Sequence, residues 1–261
     1  TVRQNLRYTK SDLSFQSITA GGYFGSVTDD GTVQRGANIV DEDISQFAVD
    51  NNLQADFTTG ALKHTLLIGL DHQRVNTHYK WQYGVAPTSN IINPIYGQDF
   101  SNVNYTAYND YNQKTRDTGL YLQDQMALDN WRLTLGGRQD WLHTDTTFYN
   151  ENNTRDKRDD SAFTGNAALS YVFDSGFTPY VSYAESFQAE PGGFGGKAFK
   201  PGTGKQYEVG LKYQPPGTEM LFTAAVYDLT RKNIVLSDTL GVSRPLGEAN
   251  VRGVELEAMS D

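Results

Sequence analysis

The sequence predicts an all-β fold, an antiparallel meander of about ten strands built as a transmembrane β-barrel. Three observations carry this prediction. Stretch after stretch alternates apolar with polar residues, short turns alternate with long links, and no run of about 18 apolar residues offers a membrane helix. Mean hydropathy is −0.57, which suits strands whose lipid and lumen faces average out. On pattern alone a soluble β-sandwich is the rival, because it too has one apolar face per strand.

The strands follow in order. Val2, Leu6 and Tyr8 alternate with Arg3, Asn5 and Arg7. Phe47, Val49, Leu53, Ala55 and Phe57 oppose a polar set running from Gln46 to Asp56, and Leu66, Ile68 and Leu70 oppose Thr65, Gly69 and Asp71. Leu120, Leu122, Met126 and Leu128 lead into a turn at Asp129-Asn130, after which Trp131, Leu133, Leu135 and Gly137 oppose Arg132, Thr134, Gly136 and Arg138. Phe163 to Phe173, Tyr207 to Tyr213 and Val254 to Ala258 repeat the period of two. Residues 219–233 begin apolar on both faces and receive no assignment. Asp124 and Glu185 interrupt apolar faces and fit a membrane barrel only near a rim.

The connections separate barrel from sandwich. Turn formers mark short connections at Thr59-Gly60, Asp129-Asn130, Asp174-Ser175-Gly176 and Pro215-Pro216-Gly217. Between them lie long links at roughly 17–36, 82–112, 149–160, 189–205 and 237–247. In a meander, alternate connections share an end, so one end is trimmed and the other carries large loops. That is the outer-membrane pattern of short periplasmic turns and longer extracellular loops. Aromatics near strand ends (Tyr8, Phe57, Trp131, Trp141, Phe163, Phe173, Phe177) suit interfacial girdles.

Composition narrows the function. The net charge of −9 argues against a nucleic-acid surface, which needs a basic stripe. There is no cysteine, hence no disulfide framework. Because both ends fall inside alternating stretches, residues 1–261 read as one internal segment of a barrel, and a missing signal peptide carries no information.

Six strings, HTLLIGLDHQR (64–74), GLYLQDQ (119–125), LTLGGRQDW (133–141), TPYVSYAESF (178–187), GKQYEVGLKY (204–213) and RGVELEA (252–258), resemble consecutive barrel segments of TonB-dependent siderophore receptors. RQNLRY (3–8), FAVDNNLQADFTTG (47–60) and DKRDD (156–160) resemble most the ferric-hydroxamate, ferrichrome-type members. The resemblance implies a barrel of about 22 strands closed by a plug domain. The plug and the C-terminal strands are absent from this segment. It implies an outer-membrane location, a ferric siderophore as cargo, the TonB complex as a partner reached through the plug, and no enzymatic activity. It also admits a phage or toxin ligand, although the loop that follows is shorter here. By resemblance, aromatics at Tyr23, Phe24 and Tyr83 contribute to the ligand site, with Trp81 beside them. Iron enters only inside the cargo chelate, and no cofactor or protein-bound metal is expected.

The residues themselves agree with that expectation. His64, His72 and His78 share a strand region, but eight residues of strand span about 26 Å, so His64 and His72 cannot share a metal. The Gly192, Gly193, Gly195 and Gly196 loop precedes no phosphate-cradling helix. The 81–113 stretch holds Trp81, Tyr83, Tyr96, Phe100, Tyr105, Tyr108 and Tyr111, and neither Lys nor Arg. A tris-hydroxamate ferric chelate is neutral and suits an aromatic cup, whereas a tris-catecholate keeps three negative charges and calls for bases. The alternatives are a same-fold receptor for a catecholate siderophore or a cobalamin, a ten-stranded outer-membrane protease, and a soluble β-protein that only binds partners.

Overall fold

The computed structural model describes residues 1–20, 27–189, 199–237 and 243–260. They form one ten-stranded antiparallel sheet in simple sequence order. The strands are β1 (Val2–Ala20), β2 (Thr32–Thr59), β3 (Leu62–Asn90), β4 (Thr106–Leu128), β5 (Trp131–Phe148), β6 (Thr154–Tyr171), β7 (Phe177–Gln188), β8 (Gly202–Tyr213), β9 (Leu221–Ser237) and β10 (Ser243–Met259). Residues 219–233, unassigned from sequence, fall mostly in β9.

Register ties the ten alternations into two continuous faces. Leu53 pairs with Ile68, Ile68 with Leu122, Leu122 with Gly137 and Gly137 with Gly165. Farther on, Leu169 pairs with Val181, Val181 with Val209, Val209 with Val226 and Val226 with Val254. Paired residues share a side of the sheet, so every apolar set named above lies on one face. Leu135, Val209 and Val254 are exposed there, with no protein layer over them. An apolar face this large has lipid as its natural solvent.

The height of the band can be read from aromatic spacing. Phe47 and Phe57, Trp131 and Trp141, and Phe163 and Phe173 each lie ten residues apart on the apolar face. Ten residues span about 33 Å along a strand, or about 23 Å of height at a tilt of about 45°. That matches an apolar band of about 25 Å between two girdles. Around the lower girdle the rings touch: Trp131 meets Tyr171 at 4.9 Å, Tyr171 meets Phe173 at 4.6 Å, and Phe177 stacks on Tyr213 at 4.2 Å.

The connections correct the sequence reading. At the trimmed end Gly60 and Asp129 take positive φ, as tight hairpins require, and the first turn is Gly60-Ala61, one residue beyond the expected position. At the other end the links are shorter than expected, because the strands run on past the apolar band. β3 continues to Asn90, β4 begins at Thr106 and β6 begins at Thr154. The 149–160 link shrinks to residues 149–153, a 3-10 turn followed by Asn152 and Asn153 at positive φ. The strict short-long alternation therefore fails there. Above the lipid both faces meet water, so ladder pairing persists while the apolar alternation that reveals it disappears. The connection before β2 is closed by Asp30, which accepts from the Thr28 hydroxyl (2.5 Å) and from the Thr32 amide (3.1 Å). These donors, the Thr28 hydroxyl foremost, hold its carboxyl below the usual range. The glycine-rich 192–196 stretch lies outside the described residues.

Asp124 sits four residues before its hairpin's last strand residue and is partnered by His64, 2.7 Å away. Phe57 stacks on that histidine at 4.7 Å. The polar pair thus lies at the lower rim, as the sequence reading required. On the polar face, glycines make room for large side chains on the next strand. Gly69 faces Tyr121, whose ring would lie 2.2 Å from a Cβ built there. The Tyr121 hydroxyl donates to Asp50 Oδ1 at 2.7 Å, so the ring bridges across β3 to β2.

Two outcomes follow. Leu135→Arg should destabilise the full-length protein in lipid by about 2–4 kcal/mol, while Thr134→Arg on the opposite face should cost little. Unfolding in lipid measures both, and equal losses would remove the lipid-facing assignment. Gly69→Ala should push the Tyr121 ring off its seat and cost about 1–3 kcal/mol, and Tyr121→Ala in the same background should recover most of the loss. A Gly69→Ala variant as stable as wild type would show that the close approach is immaterial.

Candidate functional site

The polar face has two levels. The lower, at the height of Leu70, is charged. Arg138 on β5 bonds Asp71 on β3 through both terminal nitrogens, at 2.5 and 3.0 Å, and reaches its neighbour Asp140 at 2.7 Å. The guanidinium lies 5.8 Å from the Tyr121 ring centre. Gly119, between Asp71 and Asp140 in the ladder, leaves space for that guanidinium. Asp50, Asp71, Arg138 and Asp140 therefore tie β2 through β5 together at one height.

The upper level lies beyond the apolar band and is aromatic. Along β3, Tyr79, Trp81 and Tyr83 alternate on the polar face, continuing the parity of Gly69 and Asp71. Trp81 pairs with Val40 and Tyr83 with Asn38. The Trp81 indole donates to Asn38 Oδ1 at 3.1 Å, and Tyr83 lies over Gly36, where a Cβ would come within 2.7 Å of its ring. From β4, Tyr108 approaches Trp81 at 5.1 Å and Tyr111 stacks on Tyr79 at 5.4 Å. Phe148, at the end of β5, adds a ring 6.2 Å from Tyr111 and is buried. Tyr108 stands at a bulge, where Trp81 pairs with Asn109 and Gln82 with Ala107.

Around these rings the polar face of β2 carries Gly36, Asn38, Val40, Glu42 and Ile44, and that of β4 carries Asn109, Tyr111 and Gln113. On β2 to β5, this level of the described residues has no Lys or Arg and one acid, Glu42. A patch of rings and amides without formal positive charge can cover a large neutral solute and give it a few hydrogen bonds.

The structure divides the 81–113 stretch, which sequence reading took for one loop. Trp81 and Tyr83 stand in β3, Tyr108 and Tyr111 in β4, and only residues 91–105 form the connection. Tyr96 in that connection is fully open at 87% exposure, while Phe100 packs under Arg35, 5.2 Å from its guanidinium carbon. Trp81 and Tyr83 are brought together. Tyr23 and Phe24 lie outside the described residues. Sequence reasoning missed Tyr79, Asn38 and Phe148, although the spacing of Tyr79, Trp81 and Tyr83 repeats the strand period and was the available signal. Among the described residues no group of three His or carboxylates could hold a metal ion.

Comparison with known proteins agrees with this architecture. A family profile described as TonB dependent receptor-like, beta-barrel, matches residues 1–261. The chain is 38% identical over its whole length to the ferrioxamine B receptor of Salmonella typhimurium, covering 36% of that protein. It is 37% identical to the ferrioxamine receptor of Yersinia enterocolitica, again over its whole length and 37% of the relative. To the ferrichrome outer membrane transporter/phage receptor of Escherichia coli K12 it is 38% identical over 99% of this chain and 38% of the relative. It thus spans little more than a third of these proteins. Among solved structures, the ferric-catecholate import receptor Fiu from Escherichia coli K12 superposes with a TM-score of 0.81 at 20% identity, over all of this chain and 42% of that one. The chain belongs to the TonB-dependent receptor β-barrel family, whose members lie in the outer membrane of Gram-negative bacteria.

Proposed function

We propose that the full-length protein is a TonB-dependent receptor that takes up a ferric hydroxamate siderophore, and that Trp81 and Tyr83 help to bind it. The observation that carries this reading is the aromatic and amide wall above the lipid band, whose inner face on β2 to β5 has no Lys or Arg among the described residues at that level. Three hydroxamate monoanions cancel the ferric charge, so the chelate has neither need of a basic partner nor repulsion from Glu42. A tris-catecholate chelate would meet Glu42 unfavourably and find no cation on the inner face of β2 to β5 among the described residues at this level. The sequence relatives named above are ferrioxamine and ferrichrome receptors, which supports the same cargo class. The likeness to a catecholate receptor is one of fold.

Transport on this reading involves no covalent chemistry. The wall removes the chelate from water, and a plug domain elsewhere in the protein passes the bound state to TonB, which supplies the work. Tyr23 and Phe24 are proposed as further contacts on the strength of the family resemblance. A phage or bacteriocin is a second class of ligand for the same surface, supported by the phage-receptor name of one relative and the pyocin complex of a structural neighbour.

Trp81→Ala and Tyr83→Ala should each weaken ferric hydroxamate binding by about tenfold to a hundredfold, equivalent to about 1–3 kcal/mol. Assembly should survive, because the ladder at these positions uses backbone groups alone. Binding should change little between low and high salt, as expected for a neutral ligand. Radio-iron binding with a hydroxamate and a catecholate chelate, at both salt concentrations, decides the matter. Preference for the catecholate with steep salt dependence would remove the hydroxamate reading, and wild-type affinity in both variants would remove the site.

A further inference from the structure

The one acid of the aromatic level has a definite seat. Read across the ladder, Leu13, Glu42, Tyr79, Tyr111, Phe148 and Thr154 stand in a single row on the inner face. Glu42 is therefore directly opposite Tyr79, at the spacing of cross-strand neighbours, about 5 Å. Tyr111 stacks on Tyr79 at 5.4 Å on the other side. Trp81 stands one inward step above Tyr79, about 7 Å along β3. The carboxylate thus lies at the foot of the aromatic wall and belongs to it.

Among the described residues nothing in the sheet neutralises it. Glu42 is partly buried and has neither an ion pair nor a side-chain hydrogen bond there. From this row upward the inner face of β1 to β6 carries no Lys or Arg among the described residues. Arg7 lies lower down, opposite Ala48, and Arg158, at the height of Val75, is held by Asp160. The rings feel the charge. Burial first, and then Glu42, raise the Tyr79 phenol above its ordinary value. Burial, Tyr79 and Glu42 together push Tyr111 up to about 12. Both phenols stay protonated at neutral pH, so Glu42 faces two uncharged rings.

We infer that Glu42 is a specificity-determining residue that receives a primary ammonium tethered to a ferric tris-hydroxamate chelate. Ring faces carry negative potential and attract an alkylammonium, and a carboxylate beside them supplies the counter-charge. Tyr79, Tyr111 and Glu42 bring these two elements into one row. The wall above is neutral and suits the neutral iron centre, so the solute that fits both parts has its only charge on a tail. A chelate without that tail covers the carboxylate and gives it no partner, which disfavours the wrong cargo as well as favouring the right one. The step from Trp81 down to Tyr79 is about 7 Å, so the amine sits at the end of a flexible chain. This inference rests on the hydroxamate reading and narrows it to a cargo with a single positive charge.

The test uses the full-length receptor in lipid nanodiscs and two radio-iron chelates. One is a linear tris-hydroxamate ending in a primary amine, and the other is the same chelate acetylated at that amine. They share the iron centre and differ by one charge. Wild type should bind the amine form about tenfold more tightly. Glu42→Gln keeps the shape and removes the charge, so the ratio of the two affinities should fall to about one. Asp43→Asn removes an acid from the next position, on the outward face, and should keep the wild-type ratio. Equal affinities in wild type, a ratio that survives Glu42→Gln, or a ratio lost equally in Asp43→Asn would overturn the inference and leave the hydroxamate reading standing. A merely structural Glu42 would lower both affinities together with the ratio unchanged, which overturns it too. Failure of both chelates to bind wild type would remove the hydroxamate reading and the inference with it.

Discussion

Everything in this sheet depends on one constraint: within hydrocarbon, each backbone amide and carbonyl has to find its partner on the neighbouring strand. That demand locks register, and register locks which side chains meet lipid. A slip of one residue anywhere between β1 and β10 would turn an apolar set into the lumen and a charged set into the membrane. The recorded irregularities respect this. The shift between Val33 and Arg35 and the bulge at Tyr108 both lie far above the band, where water can satisfy a displaced group.

The same constraint explains what was legible in the sequence. Leu66, Ile68 and Leu70, or Leu133 and Leu135, could be assigned to a face because lipid on one side and a wet lumen on the other impose a period of two. The upper halves of β3, β4 and β6 could not be read, since TRDKRDD meets water on both sides and looks like a loop while being fully laddered to β5. Trp81 and Tyr83 were recognisable only as matches to a family pattern. Their place on the inner face follows from counting twos from Asp71, a count available from sequence once β3 is known to continue. Glu185 could be flagged as misplaced but not explained, because its partner is a backbone amide on another strand.

On the proposed function, the two levels of the inner wall divide the labour between holding the wall and facing a ligand. At the height of the membrane, Arg138 and its carboxylates join strands by bonds that are already saturated within the wall. They give rigidity where neighbouring strands must not move. Higher up, rings rest on one another and on glycine, with amides interspersed and almost no formal charge. Binding groups raised on paired strands are held more precisely than groups on loops, and the glycine under Tyr83 lets its ring lie flat against the backbone.

The long upward reach of β3 sets the length of the path a solute must travel. Leu70 is the last large apolar outward residue of that strand, and Trp81 stands eleven residues beyond it. Eleven residues amount to about 36 Å of strand, or about 25 Å of height at a tilt of about 45°. A molecule resting on Trp81 is thus about as far above the hydrocarbon as the hydrocarbon is thick. On the proposed function its route would be about twice the depth of the bilayer core, with the first half passing along the part of the wall that stands in water. On the proposed function, hydration would be stripped there, ahead of any membrane barrier, and recognition and translocation would occupy separate stretches of the path.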